Sequence, residues 1–354
     1  MVEITAPNET PTISVVVPVH QDGDTFRRCL RSLSQASPQP HEVLIISDGA
    51  GESVERVALD NGFRCLKNSS GAGPAKARNF GAANARGEVL FFVDSDVAIQ
   101  KDLIREIRRA FAGDSSLAAV IGSYDEDPFE TNFLSQYKNL IHHFVHQHSN
   151  EATTTFWGAC GAIRRSVFLE LGGFDETYRR PCVEDIEFGH RLTKAGHSIR
   201  LLKNLQCKHL KKWSIKSLLK TDLLDRAIPW TELILRDRML INDLNLRLSS
   251  RISVLLVFLC LGLLGAGFWN PVLAKLCLLL LAIVLIINIP IYRFFLTKRK
   301  LPFMLAAIPW HLIYYFCCGL GFMAGSAHVF IKRISASLGK IIVGKRPLWL
   351  RKSV

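Results

Sequence analysis

Beyond Arg251 the chain carries two long runs with few charges, at residues 252–269 and 272–296, parted only by Asn270 and Pro271. A helix needs about 20 apolar residues to cross a bilayer, so two such runs in succession predict a hairpin through a membrane. The alternative is a pair of buried helices in a large soluble domain. A third apolar stretch at 302–331 is expected either to span or to re-enter, with a break near Gly319 and Gly325. These runs divide the chain into a loose tail at 1–11, a polar head at 12–212, interfacial amphipathic helices at 213–250, membrane segments at 251–331 and a basic tail at 332–354.

Charge orients that arrangement. Lys203, Lys208, Lys211, Lys212, Lys216, Lys220, Arg247 and Arg251 precede the first run, and Lys298, Arg299 and Lys300 follow the second. Both groups lie on the same side if the runs form an in-out-in hairpin, which satisfies the positive-inside rule. Residues 1–12 are polar and lack the apolar core of a secretory signal, so the head is expected on the cytoplasmic face of an inner or plasma membrane. The net charge of +13 then reads as attraction to anionic headgroups or phosphate-bearing substrates. Nucleic acid is excluded as the better explanation, because the cations crowd beside the apolar runs and no aromatic-basic module recurs. Of nine cysteines, Cys260, Cys277, Cys317 and Cys318 fall in apolar runs and the rest scatter through the head without metal-like pairing. They are expected to be reduced, buried and unbridged.

Within the head, apolar segments at 13–19, 42–47, 63–66 and 89–93 read as strands, and segments at 24–36, 53–60 and 74–85 as helices. In the first helix Phe26, Cys29, Leu30 and Leu33 recur at helical spacing. Such alternation predicts an α/β head with a mainly parallel central sheet. Its strands would bring Pro18, Asp48 and the pair Asp94 and Asp96 to one edge, where open α/β sheets take ligands. Residues 88–96 are the most telling stretch: an apolar strand halts on two carboxylates with Ser95 between them. They either end the strand as turn residues or hold a hard divalent cation such as Mg²⁺ or Mn²⁺.

The order ISVVVPVHQDGDTFRRCLRSL, VLIISDGA, GPAKARNFGAANARGEVLFFVDSDV, FWGACGAIRRSVFLELGGFDE and VEDIEFGHRLTKAGH resembles the family 2 glycosyltransferases of GT-A fold, over roughly residues 12 to 210. The resemblance implies an inverting, metal-dependent transferase of the hexosyltransferase type that uses a UDP- or GDP-linked sugar. It implies that Pro18 and Asp48 hold the nucleotide base and ribose, with Asp22 closing the base pocket. Lys76 and Arg78 offer cations to the diphosphate at a helix start. A divalent ion on Asp96 would bridge the phosphates, Asp94 lying nearer the ribose or the metal. His209, after a strand-like segment, is expected either to complete the metal or diphosphate site or to serve a structural role. Asp185 matches the second acid of the family's Glu-Asp pair and is the expected base, with Glu184 orienting it.

On the acceptor side, Trp157 and Gly158 would form a sugar-stacking loop, core packing being the equal alternative for Trp157. His142, His143, His146 and His148 are expected on a surface or interfacial helix rather than around a metal. Asp225-Arg226-Ala-Ile-Pro229-Trp230 stands where processive members carry Gln-x-x-Arg-Trp and departs from it, which puts polymer synthesis in doubt. Arg226 and Trp230 would then cap the site from the membrane surface or form an interfacial helix. The expected function is transfer of one sugar to a membrane lipid-linked acceptor in envelope glycan or glycolipid biosynthesis. Its rivals are a polyprenyl-phosphate sugar transferase, a processive polysaccharide synthase and an inactive nucleotide-sugar-binding membrane regulator.

Overall fold

The structure is a computed structural model describing residues 10–68, 71, 73–239, 241–267 and 270–344, with side chains to residue 335. The expected loose tail before residue 10, the end of the first apolar run at 268–269 and the basic residues beyond 344 lie outside the described residues. The chain forms two compact units. The first holds the chain to Leu218 with Ile241–Leu248 and Asn288–Ile308; the second holds Leu219–Leu240, Ser249–Ile287 and the chain from Pro309.

The first unit opens with the expected alternation: β1 (Ile13–Val19), α1 (Asp24–Ser34), β2 (Glu42–Asp48), α2 (Glu52–Asp60), β3 (Arg64–Asn68), α3 (Pro74–Asn84) and β4 (Val89–Val93). It continues with β5 (Val97–Ile99), α4 (Leu103–Gly113), β6 (Leu117–Tyr124), α5 (Phe133–Gln147), β7 (Ala152–Thr153), β8 (Cys160–Arg164), α6 (Arg165–Glu170), α7 (Glu184–Lys194) and β9 (Ser198–His209). The sheet order is β3-β2-β1-β4-β8-β6-β9-β5, with β7 beside β9. β1 and β4 read as continuous apolar runs because both faces are covered by helices. α1 buries Phe26, Cys29, Leu30 and Leu33, the stripe its spacing predicts. α3 lies close on β1 and β2, since a Cβ on Gly81 would stand 2.4 Å from Val16 Cγ1.

Two expectations about the head need correction. Its sheet is mixed rather than mainly parallel: β1–β2, β1–β4, β2–β3 and β6–β9 pair parallel, whereas β4–β8, β6–β8, β5–β9 and β7–β9 pair antiparallel. After β4 the chain stops repeating βαβ units, and β8 inserts antiparallel between β4 and β6. The histidine helix α5 is no surface helix. His143 and His146 are buried and donate Nδ1–H to the carbonyls of Tyr124 and Gly122 at 2.7 and 2.9 Å. Those carbonyls flank an irregularity between Ile121 and Ser123, where β6 slips register against β9.

After α8 (Ile215–Lys220), the second unit continues through a π-helical turn at Thr221–Ala227 and α9 (Ile228–Asp237) to α10 (Leu248–Gly267) and α11 (Pro271–Ile287). α12 (Ile289–Gly344) is interrupted at Lys300, where φ is 67°. Two of these helices are long and apolar enough to cross a membrane, Leu248–Gly267 and the stretch Ile289–Ser335 within α12; α11 is a shorter apolar helix. The predicted break near Gly319 and Gly325 is absent: the helix continues and the glycines serve as packing notches. A Cβ on Gly319 would collide with the Phe258 ring, and one on Gly321 with Ala227. Cys260 and Cys277, expected to be unbridged, are joined as a disulfide between α10 and α11.

The predicted second run at 272–296 is also cut, because residues 289–308 belong to the first unit. Phe295 is fully buried, 6.1 Å from the Tyr137 ring of α5, and Phe294 lies 5.4 Å from Phe144. Arg299 donates to Gln136 Oε1 and to the Glu126 carbonyl, each at 2.8 Å. The head is therefore larger than residues 12–212. Phe295→Ala should remove about 3–5 kcal/mol from the stability of the head, the cost of a large core truncation, read as a lower denaturant midpoint in detergent. A lipid-facing phenylalanine would leave that midpoint nearly unmoved.

Candidate active site

Because β1 runs parallel to β2 and β4, Pro18, Asp48 and Asp94 reach one edge of the sheet. β4 ends at Val93 and the chain crosses to β5 at the other end of the strand order, so Asp94-Ser95-Asp96 is the crossing point. Val97 N donates to Asp94 O at 3.0 Å and Leu210 N to Asp96 O at 2.8 Å. The segment is thus a turn, as its composition allows, and it also projects two carboxylates.

Arg78 of α3 is almost fully buried and ties those carboxylates to a second pair. Its Nη2 donates to Asp94 Oδ1 at 2.6 Å and its Nη1 to Glu184 Oε1 at 3.0 Å. Burial opposes the guanidinium charge, but Asp94 and Glu184 outweigh it and hold Arg78 firmly protonated. Glu184 opens α7, and its other oxygen accepts from Cys182 N at 2.8 Å. Asp185 follows, half-buried, with Oδ2 accepting from Gly158 N at 3.0 Å. Gly158 lies against the same guanidinium: a Cβ there would be 3.2 Å from Arg78 Cζ. Strand end, helix start and loop are thereby locked around one side chain.

On the other side of the turn, His209 Nε2 lies 4.0 Å from Asp96 Oδ2, its ring stacked on Tyr124 at 4.2 Å. Burial, and then repulsion from Asp94, push the Asp96 carboxyl up to about 6, against the pull of Lys211. This donor set fits a hard divalent cation of the kind whose shell phosphate oxygens complete: an anion disfavoured in its place with an imidazole beside it. Among the described residues no three His, Cys, Asp or Glu side chains form a closed cage. Asp94, engaged by Arg78, is the less available of the two carboxylates.

The other predicted residues have the following partners in the structure. Asp48 accepts from Asn68 Nδ2 at 2.8 Å and from Gly73 N at 3.0 Å, joining β2, β3 and the start of α3. Asp22 accepts from Arg27 at 2.6 Å. Pro18 and Lys76 are half-exposed. Arg78 does not point its charge outward to a diphosphate; both ends of its fork are taken by carboxylates. Trp157 is 6% exposed, packed against Tyr124 and His142 at 4.8 and 4.6 Å, so core packing takes the ring expected to stack on a sugar. Arg226 and Trp230 belong to the second unit. Lys211, counted in the sequence only among basic residues, was missed; its spacing of two from His209 is the signal that could have found it.

Residues 14–172 match the profile described as glycosyl transferase family 2, and residues 138–213 that described as the N-terminal domain of galactosyltransferase. Pre-mycofactocin glycosyltransferase of Mycobacterium tuberculosis is 28% identical over 198 residues, covering 53% of this chain and 40% of that protein. Glycosyltransferase GlyG of Streptococcus pneumoniae is 28% identical over 126 residues, covering 34% and 42%. The chain thus spans less than half the length of these relatives. The solved mannosyltransferase PcManGT of Pyrobaculum calidifontis, in complex with GDP-Man and Mn²⁺, aligns over 90% of this chain and 88% of its own with a TM-score of 0.53 and 15% identity, a likeness of fold.

Two measurements test this site. Removing Arg78 leaves Glu184 and Asp94 facing a void, so Arg78→Met should cost about 3–5 kcal/mol of stability, seen in the denaturant midpoint, whereas Arg78→Lys should retain most of it. Asp96 titrates near 6 folded and near 3.8 unfolded, so folding takes up a proton between those values. Its contribution favours the folded state at the acidic end of that window and is lost as pH rises through 6. In EDTA, Asp96→Asn should raise the melting temperature at pH 8, with the gain shrinking toward zero at pH 4.5.

Proposed function

From the premise that the chain is a family 2 glycosyltransferase, we propose that it moves a single sugar, with inversion, from a UDP- or GDP-linked donor to a lipid-linked acceptor. The observation that carries the mechanism is the unequal exposure of Glu184 and Asp185. Both oxygens of Glu184 are occupied, by Arg78 and by Cys182 N, and the side chain is buried. Asp185 is half-exposed, its Oδ2 accepting from Gly158 N at 3.0 Å and its Oδ1 from Ile186 N at 2.8 Å, so of the two acids it is the one an incoming hydroxyl can reach to give up its proton. The acceptor oxygen attacks the anomeric carbon as the carbon–oxygen bond to the β-phosphate breaks. The proton passes to Asp185, and the electron pair leaves on the diphosphate.

A bound Mn²⁺ or Mg²⁺ would supply charge neutralisation at that leaving group, and Asp96 with His209 are the side chains that would hold it. The Pyrobaculum neighbour's GDP-Man and Mn²⁺ support a sugar nucleotide and a divalent ion here. Asp48, at the end of β2, suits the ribose only if one of its oxygens is shared with Gly73 N or Asn68. The lipid acceptor is supported by α10 and the apolar stretch of α12, which suit a chain that meets an amphiphile without extracting it from the bilayer. A cytoplasmic head and a place in envelope glycan or glycolipid assembly belong to the same proposal.

Full-length protein in detergent, given a panel of UDP- and GDP-sugars with Mn²⁺ or Mg²⁺ and a lipid extract, should yield a lipid one hexose heavier by mass spectrometry. A polymer ladder, or transfer only to soluble acceptors, would overturn the acceptor assignment. Asp185→Asn should lower kcat by about 10²–10⁴-fold with donor binding within a few-fold of the unaltered protein; full activity would remove Asp185 as base.

A further inference from the structure

We infer that Lys211 grips the β-phosphate of the departing nucleoside diphosphate, facing the Asp96 and His209 side chains, and so is a catalytic residue of the transfer; the inference rests on the glycosyl-transfer reading above. β9 ends at His209, and the hydrogen bond from Leu210 N to Asp96 O at 2.8 Å fastens the next residue to the acidic turn. Lys211 follows immediately. Its Nζ lies 4.4 Å from the Trp213 ring centroid, a cation–π contact that confines the side chain of this half-exposed residue. Trp213 is itself fixed, donating its backbone N–H to Ser135 Oγ at 2.8 Å and accepting from Asn132 at 2.9 Å.

Two nearby cations are already paired. Arg78 is bound by Asp94 and Glu184, and Lys208 by Asp125 and Asp127 at 3.3 and 3.0 Å. Lys211 makes no ion pair among the described residues, although its charge reaches Asp96. An ammonium held beside a carboxylate that is itself suited to a divalent cation would be repelled by that cation. An anion between them reverses the sign of the interaction, and the anion this reaction produces is a diphosphate. As the bond from the anomeric carbon to the phosphate oxygen breaks, negative charge gathers on that oxygen; a Lys211 N–H donates to it and no proton need transfer. Lys is suited to this task because it acts as a point charge on a flexible stem.

Nucleotide binding to the full-length protein in detergent separates this role from general surface charge. Calorimetry with GDP, UDP, GMP and UMP, in Mn²⁺ and in EDTA, should show Lys211→Met weakening the diphosphates about tenfold under both conditions, the worth of one charge-assisted hydrogen bond. The monophosphates should change less than about twofold on the same reasoning. Lys211→Arg should keep most of the affinity, which guards against a folding artefact. Lys212→Met, at the exposed neighbouring position, should change nothing. Unchanged diphosphate affinity in Lys211→Met, or an equal loss in Lys212→Met, would overturn the role of Lys211 while leaving the enzyme's assignment intact. Absence of Mn²⁺-dependent binding of any of the four nucleotides by the unaltered protein would remove the transferase reading beneath it.

Discussion

A guanidinium buried between two carboxylates is the contact on which the active centre depends. Arg78 comes from α3, Asp94 from the end of β4 and Glu184 from the start of α7, so three segments distant in sequence meet in one pair of charge-assisted hydrogen bonds. The rigid fork of arginine sets their spacing in a way that a flexible lysine would not. A buried arrangement of this kind adds little net stability over a well-packed apolar one, but it is costly to break, because either partner left alone is an uncompensated charge. Its value lies in geometry: the helix bearing the candidate base cannot drift from the strand bearing the candidate metal ligand. Gly158 is small enough to sit against the same guanidinium while its N–H holds Asp185.

That clamp also divides four acidic residues into distinct uses. Glu184 gives both oxygens to Arg78 and the Cys182 N–H, and Asp94 gives one oxygen to Arg78. Asp185 accepts from the backbone N–H groups of Gly158 and Ile186 and stays half-exposed, open enough to meet an acceptor. Asp96 is taken out of water and has Asp94 as a near neighbour, which is why its carboxyl is pushed up to about 6. Local sequence treats Asp94 and Asp96 as twins, and likewise Glu184 and Asp185. Their environments make each pair unequal, as division of labour between nearby carboxylates requires.

The residues that could be read from sequence were those whose type and spacing carry their own meaning. A run such as Val89–Val93 ending on Asp94 and Asp96 announces a buried strand with a functional edge, and Phe26, Cys29, Leu30 and Leu33 announce a helix on a sheet. What could not be read was the direction a charge or ring would face. Arg78 looked like a phosphate ligand because a cation at a helix start has that use, and only the distant Glu184 makes it an internal brace. Trp157 and the histidines of α5 are common at surfaces, yet here a slip between β6 and β9 leaves carbonyls that His143 and His146 satisfy from inside. Residues 289–296 are apolar enough for lipid, but three phenylalanines at 294, 295 and 303 match aromatics on α5, and packing prevails over hydropathy. The glycines at 319, 321 and 325 resemble breakers in sequence, although in an apolar helix the lack of a side chain is just as useful for close approach.

The charges around the acidic turn carry a last consequence. Asp94, Asp96, Glu184 and Asp185 outnumber Arg78 and Lys211, so the region is short of positive charge before any substrate arrives. A divalent cation alone would relieve that shortage but would then stand near Lys211, which discourages tight binding of the ion by itself. A sugar nucleotide alone would bring two phosphates toward Asp96, which discourages the donor by itself. On the transferase reading the ion and the diphosphate attract one another directly, so each would favour the binding of the other.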